Sequence, residues 1–247
     1  MEEVSFGTDG WRGVIADDYT YENLGRVAVA TASYLKSPER RELEIYDEWG
    51  TPYRTSDDGV VVGYDGRFAS ENFALYVAKV LKEYGLPTCV SNTMVPTPAL
   101  AFAVREMEAA AGIMITASHN PPEYNGFKVK IESGASAPPV VTDRIEANLP
   151  DDPPEVDSGS AVDRVDISSD YVDALGEIVD EDMITKNPVM AVIDYMYGSA
   201  QGLTAEVLEK FGVQSVEVRS DFNPSFRGIR PEPLEEYLDP LKEAVAE

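Results

Sequence analysis

Val60-Val61-Val62-Gly63-Tyr64-Asp65-Gly66-Arg67 sets the pattern that the rest of the chain repeats. An apolar strand runs straight into a polar, glycine-containing turn. Ser70 then reads as the cap of a helix carrying Phe73, Val77, Val80, Leu81 and Tyr84 on one face, with Gly85 as its stop. Thr88-Cys89-Val90-Ser91 is the next strand, and Thr97-Pro98 opens a helix through Ala103 and Met107, proline being well placed in a first turn. Ala111 to Thr116 is an unbroken apolar run, the pattern of a buried strand. Upstream, Thr20 can cap a helix that carries Leu24, Val27, Thr31, Tyr34 and Leu35 on one side. Strand and helix alternate, which places the chain in the α/β class.

The remaining segments extend this plan. Pro38 to Asp58 is polar and without a clear period, and is expected to be an inserted loop or a short exposed hairpin. Asn125-Gly126 predicts a tight turn into the strand Phe127 to Ile131, and Val140 to Leu149 suggests a small helix. Pro150 to Ser160 is rich in proline, acid and serine, the composition of a linker. Beyond it come a helix over Ser168 to Asp180, a strand over Pro188 to Asp194, a helix over Gly198 to Phe211 stopped at Gly212, and a strand over Val213 to Val218. Leu241 to Glu247 reads as a helix with no natural finish. The expected division is a first domain over 1–149, a linker and connecting helix over 150–185, and a partial second domain over 186–247.

Composition narrows the function classes. The 247 residues carry 45 acidic against 20 basic side chains, a net charge of −25. Such a surface repels nucleic acid and anionic lipid, so neither is an expected partner. Lysine is scarce and the acid is spread along the chain, which predicts a salt-adapted protein whose self-repulsion is screened by dense counterions. No apolar run is long enough for a membrane span, and the N-terminus has no signal-peptide pattern. With one cysteine, Cys89, and one histidine, His119, an internal disulfide and the common Cys/His zinc sites are excluded. A cytoplasmic location is expected.

The richest segment chemically is Thr116-Ala117-Ser118-His119-Asn120-Pro121-Pro122-Glu123-Tyr124-Asn125-Gly126-Phe127-Lys128. It follows a buried strand, and in α/β sheets ligands gather at the carboxyl ends of strands. It offers hydroxyl, imidazole and amide groups on a stiffened backbone; on the residues alone it serves equally as a ligand-binding segment or as a well-made hairpin loop. A Ser-His hydrolase is disfavoured, because triads assemble from separated positions and no Gly-x-Ser-x-Gly elbow surrounds Ser118. Phe6-Gly7-Thr8-Asp9-Gly10-Trp11-Arg12-Gly13 places an arginine fork among glycines, suited to phosphate or equally to a turn with a surface ion pair. Lys128 and Lys130 alternate along one strand and so share a face, as a cationic patch or a solvated side.

Together these segments resemble the phosphohexomutase family of phosphoglucomutases and phosphomannomutases. Phe6 to Gly13 matches the family's N-terminal signature, and Thr116-Ala117-Ser118-His119-Asn120-Pro121 matches its phosphoserine loop. Val62 to Arg67, Val95-Pro96-Thr97-Pro98, Ile193 to Ala200, Asn223 to Phe226 and Pro231-Glu232-Pro233 also fit. The resemblance implies a three-layer α/β/α domain with a mixed sheet, followed by a second, incomplete α/β domain of the same type. It implies that Ser118 is phosphorylated and exchanges its phosphoryl group with a hexose phosphate through a hexose 1,6-bisphosphate. It further implies that Lys128 transfers protons, that Arg12 reaches into the site, and that His119 and Asn120 shape the loop and bind phosphate.

The family's Mg2+ ion would be met here by Ser118 alone, through its phosphate, since the Asp-Gly-Asp-x-Asp-Arg loop is absent from the sequence. The family's sugar-recognition loop and phosphate-binding domain are missing too. The chain is therefore expected to be the N-terminal part of a mutase, inactive alone and completed by further C-terminal domains. The alternative is a naturally short protein that binds sugar phosphate or a partner without turnover. Pro121 to Lys128 looks more like the glucose/mannose branch than the glucosamine branch.

Overall fold

The computed structural model describes residues 4–7, 10–47, 50–157, 159, 161–187 and 189–246, without the side chains of Asp47 and Thr185. Thr8, Asp9, Ser158, Ser160, Pro188 and Glu247, which belong to segments read above, lie outside the described residues. The elements in chain order are β1 (Trp11–Val14), α1 (Tyr21–Lys36), α2 (Glu44–Asp47), β2 (Val60–Tyr64), α3 (Ser70–Glu83) and β3 (Thr88–Ser91). Next come α4 (Thr97–Glu106), β4 (Ala111–Ile115), β5 (Tyr124–Lys130), α5 (Pro139–Glu146), β6 (Asp163–Val165) and α6 (Ser168–Ile178). The remainder is α7 (Glu181–Lys186), β7 (Met190–Asp194), α8 (Leu203–Lys210), β8 (Gln214–Val218) and α9 (Asp239–Ala246).

The first unit is a six-stranded mixed sheet in the order β1-β5-β4-β2-β3-β6. β4, β2, β3 and β6 run parallel, while β5 and β1 are antiparallel to their neighbours. Helices cover both faces, as a sheet of buried parallel strands requires. Val60 and Val62 point into the larger core, shared with α1, α3 and α5, whereas Val61 points to the smaller core under α4 and α6. The expected α/β/α layering with a mixed sheet is present.

Local chemistry explains most boundaries. Thr20 caps α1 as its position suggests: the Asn23 amide donates to its Oγ1 at 3.2 Å. Leu24, Val27, Thr31, Tyr34 and Leu35 are all buried. Trp11 stacks on Tyr19 at 4.8 Å, and the Tyr19 hydroxyl donates to the Gly126 carbonyl at 3.0 Å, tying β1 and α1 to β5. Burial pushes that phenol's pKa well up.

Four readings need correction. Ser70 is not a cap: Ala69 holds that place in a left-handed conformation, and Ser70 is the first residue of α3, its hydroxyl drawn instead to Asp65 at 2.8 Å. Asn125-Gly126 is not a turn but part of β5, paired with Gly13 and Arg12; β1 supplies the partner that keeps it extended. The segment 38–58 is, among its described residues, neither a hairpin nor an unstructured inserted loop. It forms two short 3-10 turns and α2, and Leu43 and Ile45 enter the main core. Arg40 pins it there, buried, its guanidinium donating to the Leu35 carbonyl at 3.0 Å and to Glu132 at 2.9 Å and facing the Tyr53 ring. Finally, the helix expected from Gly198 begins only at Leu203, because Gly202 takes a positive φ of 78° that no helix continues.

The stretch after Leu149 packs on the first unit. The Pro150 carbonyl accepts from Arg26 at 2.7 Å, and residues 163–165 form the edge strand β6 on β3. α6 lies against α4, with Phe102 and Tyr171 rings 5.9 Å apart. β7 and β8 then form a parallel pair flanked by α8 and α9. Among the described residues no helix is long and apolar enough to cross a membrane.

Candidate functional site

β2 and β4 are parallel neighbours, so their carboxyl ends emerge side by side. β2 delivers Asp65 and Arg67; β4 delivers Thr116 and the loop to Tyr124. That loop is held from both chemical ends. Thr116 Oγ1 donates to Asp65 Oδ2 at 2.5 Å and accepts the Ser118 amide at 3.0 Å. Arg67 donates to the carbonyls of Ser118 (2.8 Å), Asn120 (2.6 Å), Pro121 (2.8 Å) and Tyr124 (3.0 Å). Four carbonyls of one loop thus converge on one guanidinium, whose planar fork suits them in a way an ammonium would not.

Asp65 is the hub beneath. It accepts from Thr116, from the Arg67 amide (3.0 Å) and from the Ser70 hydroxyl (2.8 Å), and pairs with the Arg67 guanidinium at 3.2 Å. Burial pushes its carboxyl pKa up, while Arg67 and the donated hydrogen bonds pull it back. Burial likewise lowers the Arg67 pKa, against the pull of Asp65. Every partner of Asp65 is a donor, which is the environment of a carboxylate.

The result is an exposed Ser118 in the left-handed region, with a φ of 58°. A non-glycine residue holds such a conformation only when its surroundings over-determine it. His119 is exposed beside it, Nδ1 lying 3.3 Å from the Ser118 Oγ. Arg12 donates to Asn120 Oδ1 at 2.8 Å, so the two glycine- and serine-rich segments of the sequence meet in space. Lys128 is placed by register: it stands opposite Met114 on β4, on the sheet face that also carries Lys130 and Arg12. Both lysines are buried, and Lys130 donates to Ser136 at 2.9 Å.

The second unit closes a cleft of about 410 Å³ over this loop. Ser118, His119, Asp65 and Thr97 line one side, and Asp194, Ser199 and Phe226 the other. Asp194 accepts from Arg219 Nε at 2.8 Å and from the Met196 amide at 3.0 Å. The two carboxylates lining the cleft are therefore committed to arginines and hydroxyl or amide donors. Among the described residues no group of three His, Cys, Asp or Glu side chains gathers that could hold a metal ion. These side chains alone do not fit a magnesium ion.

Sequence reasoning named Ser118, His119, Asn120, Arg12 and Lys128 but gave Asp65 and Arg67 no role. Their signal was an Asp-Gly-Arg directly after the central strand; what it lacked was the adjacency of β2 to β4. Phe226 was likewise given no role.

Comparison with known proteins agrees with this fold. Residues 3–154 match the family model for phosphoglucomutase/phosphomannomutase alpha/beta/alpha domain I, and residues 169–247 that for domain II. A "Probable phosphoglucosamine mutase" of Methanothermobacter thermautotrophicus is 32% identical over 243 residues, 97% of this chain and 49% of that protein. A phosphoglucomutase of Staphylococcus haemolyticus is 26% identical over 92% of this chain and 41% of its own length. A Thermus thermophilus crystal structure described as a phosphomannomutase superposes with a TM-score of 0.83 at 32% identity, covering 99% of this chain and 52% of that one. The chain spans about half the length of the curated relatives it matches. With both of its α/β units matched in order, the chain belongs to the phosphoglucomutase/phosphomannomutase family.

Proposed function

We propose that this chain carries the phosphoryl-bearing half of a phosphohexomutase site, with Ser118 as the residue that is phosphorylated. The observation that carries the reading is the presentation of Ser118: exposed, left-handed, amide and carbonyl both fixed, at the mouth of a cleft. Phosphoryl transfer depends mainly on positioning and charge stabilisation, so a rigidly aimed oxygen is the principal requirement.

In the forward half-reaction the phosphoryl group leaves the Ser118 Oγ. The P–O bond to serine breaks as a bond to a free hydroxyl of the hexose phosphate forms. The sugar hydroxyl gives up its proton and the serine oxygen takes one. The product is a hexose 1,6-bisphosphate, which turns over and returns its other phosphoryl group to Ser118. His119, at the Oγ, and Lys128, on the sheet face shared with Arg12, are the groups proposed for phosphate binding and proton transfer. Arg12 positions Asn120 and so the far side of the loop. The relatives carry glucosamine, glucose and mannose names, so the substrate class is proposed as hexose phosphate.

In this reading 1–149 is the phosphoserine domain, 150–185 the connection and 186–247 part of the second domain that roofs the cleft. Intact mass and peptide mapping of the native gene product from its source cells test it. One phosphate on Ser118, lost in Ser118→Ala, is expected; phosphate on another residue, or none, overturns it.

A further inference from the structure

Arg67 is 2% exposed, and its four terminal N–H bonds are spent, in the guanidinium plane, on the carbonyls of the Ser118 loop. Its Nε adds an ion-pair contact to Asp65 at 3.2 Å without hydrogen-bond alignment. What remains is the flat face of the ion. Phe226, from the second unit, lies over it with its ring centroid 5.1 Å from the guanidinium carbon.

Phe226 is no incidental neighbour. It is 3% exposed in a unit whose helices α8 and α9 bury no residue fully. Its backbone and that of Arg227 are both left-handed, at φ of 48° and 50°. Asn223 Oδ1 holds the turn in that shape, accepting from the Ser225 amide at 3.2 Å and the Ser225 hydroxyl at 2.8 Å. Two strained turns, one carrying Ser118 and one carrying Phe226, thus meet at one arginine. A desolvated cation against an aromatic face is worth more than the same pair in water.

We propose that Arg67 is the positioning residue of the Ser118 loop and that Phe226 is its keeper, so that docking of the second unit sets how firmly Ser118 is presented. The reading of Ser118 as phosphoryl carrier gives this coupling its use; the coupling itself is a statement about the loop and can be tested without turnover.

The test is amide hydrogen exchange on the full 247-residue chain, following peptides over 117–124 with α1 and β4 peptides as folding controls. Phe226→Ala is expected to speed exchange of the loop about tenfold, the loss of one desolvated cation–aromatic contact, with α1 unchanged. Phe226→Tyr should restore protection, whereas Phe226→Leu, which keeps apolar bulk without the ring, should not. Arg67→Lys should release the loop at least as far as Phe226→Ala. Loop exchange unmoved by Phe226→Ala, or Leu protecting as well as Tyr, overturns the proposal. Phosphate label on Ser118, mapped on the native gene product, separates the two ideas. An unlabelled wild-type chain with a Phe226-dependent loop sinks the phosphoryl-carrier reading and leaves the coupling standing. A labelled wild type with a Phe226-independent loop does the reverse.

Discussion

β2 and β7 play matching parts in opposite settings. Each is a five-residue strand, and each delivers an aspartate at its carboxyl end that pairs with an arginine: Asp65 with Arg67, Asp194 with Arg219. Every residue of β2 is buried; no residue of β7 is. The difference lies in the neighbours. β2 has a strand on each side and helices on both faces, whereas β7 has β8 alone in a two-stranded sheet. Local pattern specifies a strand, and tertiary surroundings decide what it is worth. The arginines differ in the same way. Arg67 reaches four carbonyls of another loop, while Arg219 adds to its aspartate the single Tyr237 carbonyl, at 2.9 Å.

Substitutions test this contrast. Arg67→Ala strands a buried carboxylate and four carbonyls and should cost roughly 3–5 kcal/mol, read as a drop in the urea midpoint. Arg219→Ala should cost about 2 kcal/mol, and equal losses would erase the distinction. Next, Ile113→Ala in β4, fully buried, should cost roughly 2–5 kcal/mol, against about 1 kcal/mol for Ile193→Ala in half-buried β7. Thr20→Ala removes the α1 cap and should cost about 1 kcal/mol, felt in the melting of the first unit. The gentlest probe is salt. With a net charge of −25, the melting temperature should rise between low and molar salt, and a flat response would end the salt-adaptation reading.

Much of the first unit was legible because its signals are local. The apolar run at Val60 to Tyr64, the period of α1 and the Thr20 cap each act within a few residues, and the structure keeps them. Most errors arose where a partner outside the motif overruled its local preference. Asn125-Gly126 favours a turn alone, but pairing with β1 stretches it. Ser70 favours a cap, but Asp65 claims its hydroxyl. Segment 38–58 is mostly polar, yet Arg40 and Glu132 pair across 92 residues and bring Leu43 and Ile45 inside. The site divides likewise. Ser118, His119 and Asn120 announced themselves by composition; Asp65, Arg67 and Phe226 are defined by strand adjacency and by docking of the second unit.

The pairing of β1 with β5 carries a temporal consequence. Arg12 leaves the ribosome early, but its partner Asn120 is made 108 residues later. Strands β2, β3 and β4 can assemble with their helices while the first strand waits, and closing so long a loop is an entropic step that only the finished β5 rewards. The edge of the sheet that bears Arg12 is therefore expected to be the last piece of the first unit to set during synthesis. A chain truncated before Tyr124 would lack β5 and leave the β4 edge unguarded, and Trp11, stacked on Tyr19 in the finished unit, would report the closure by its fluorescence.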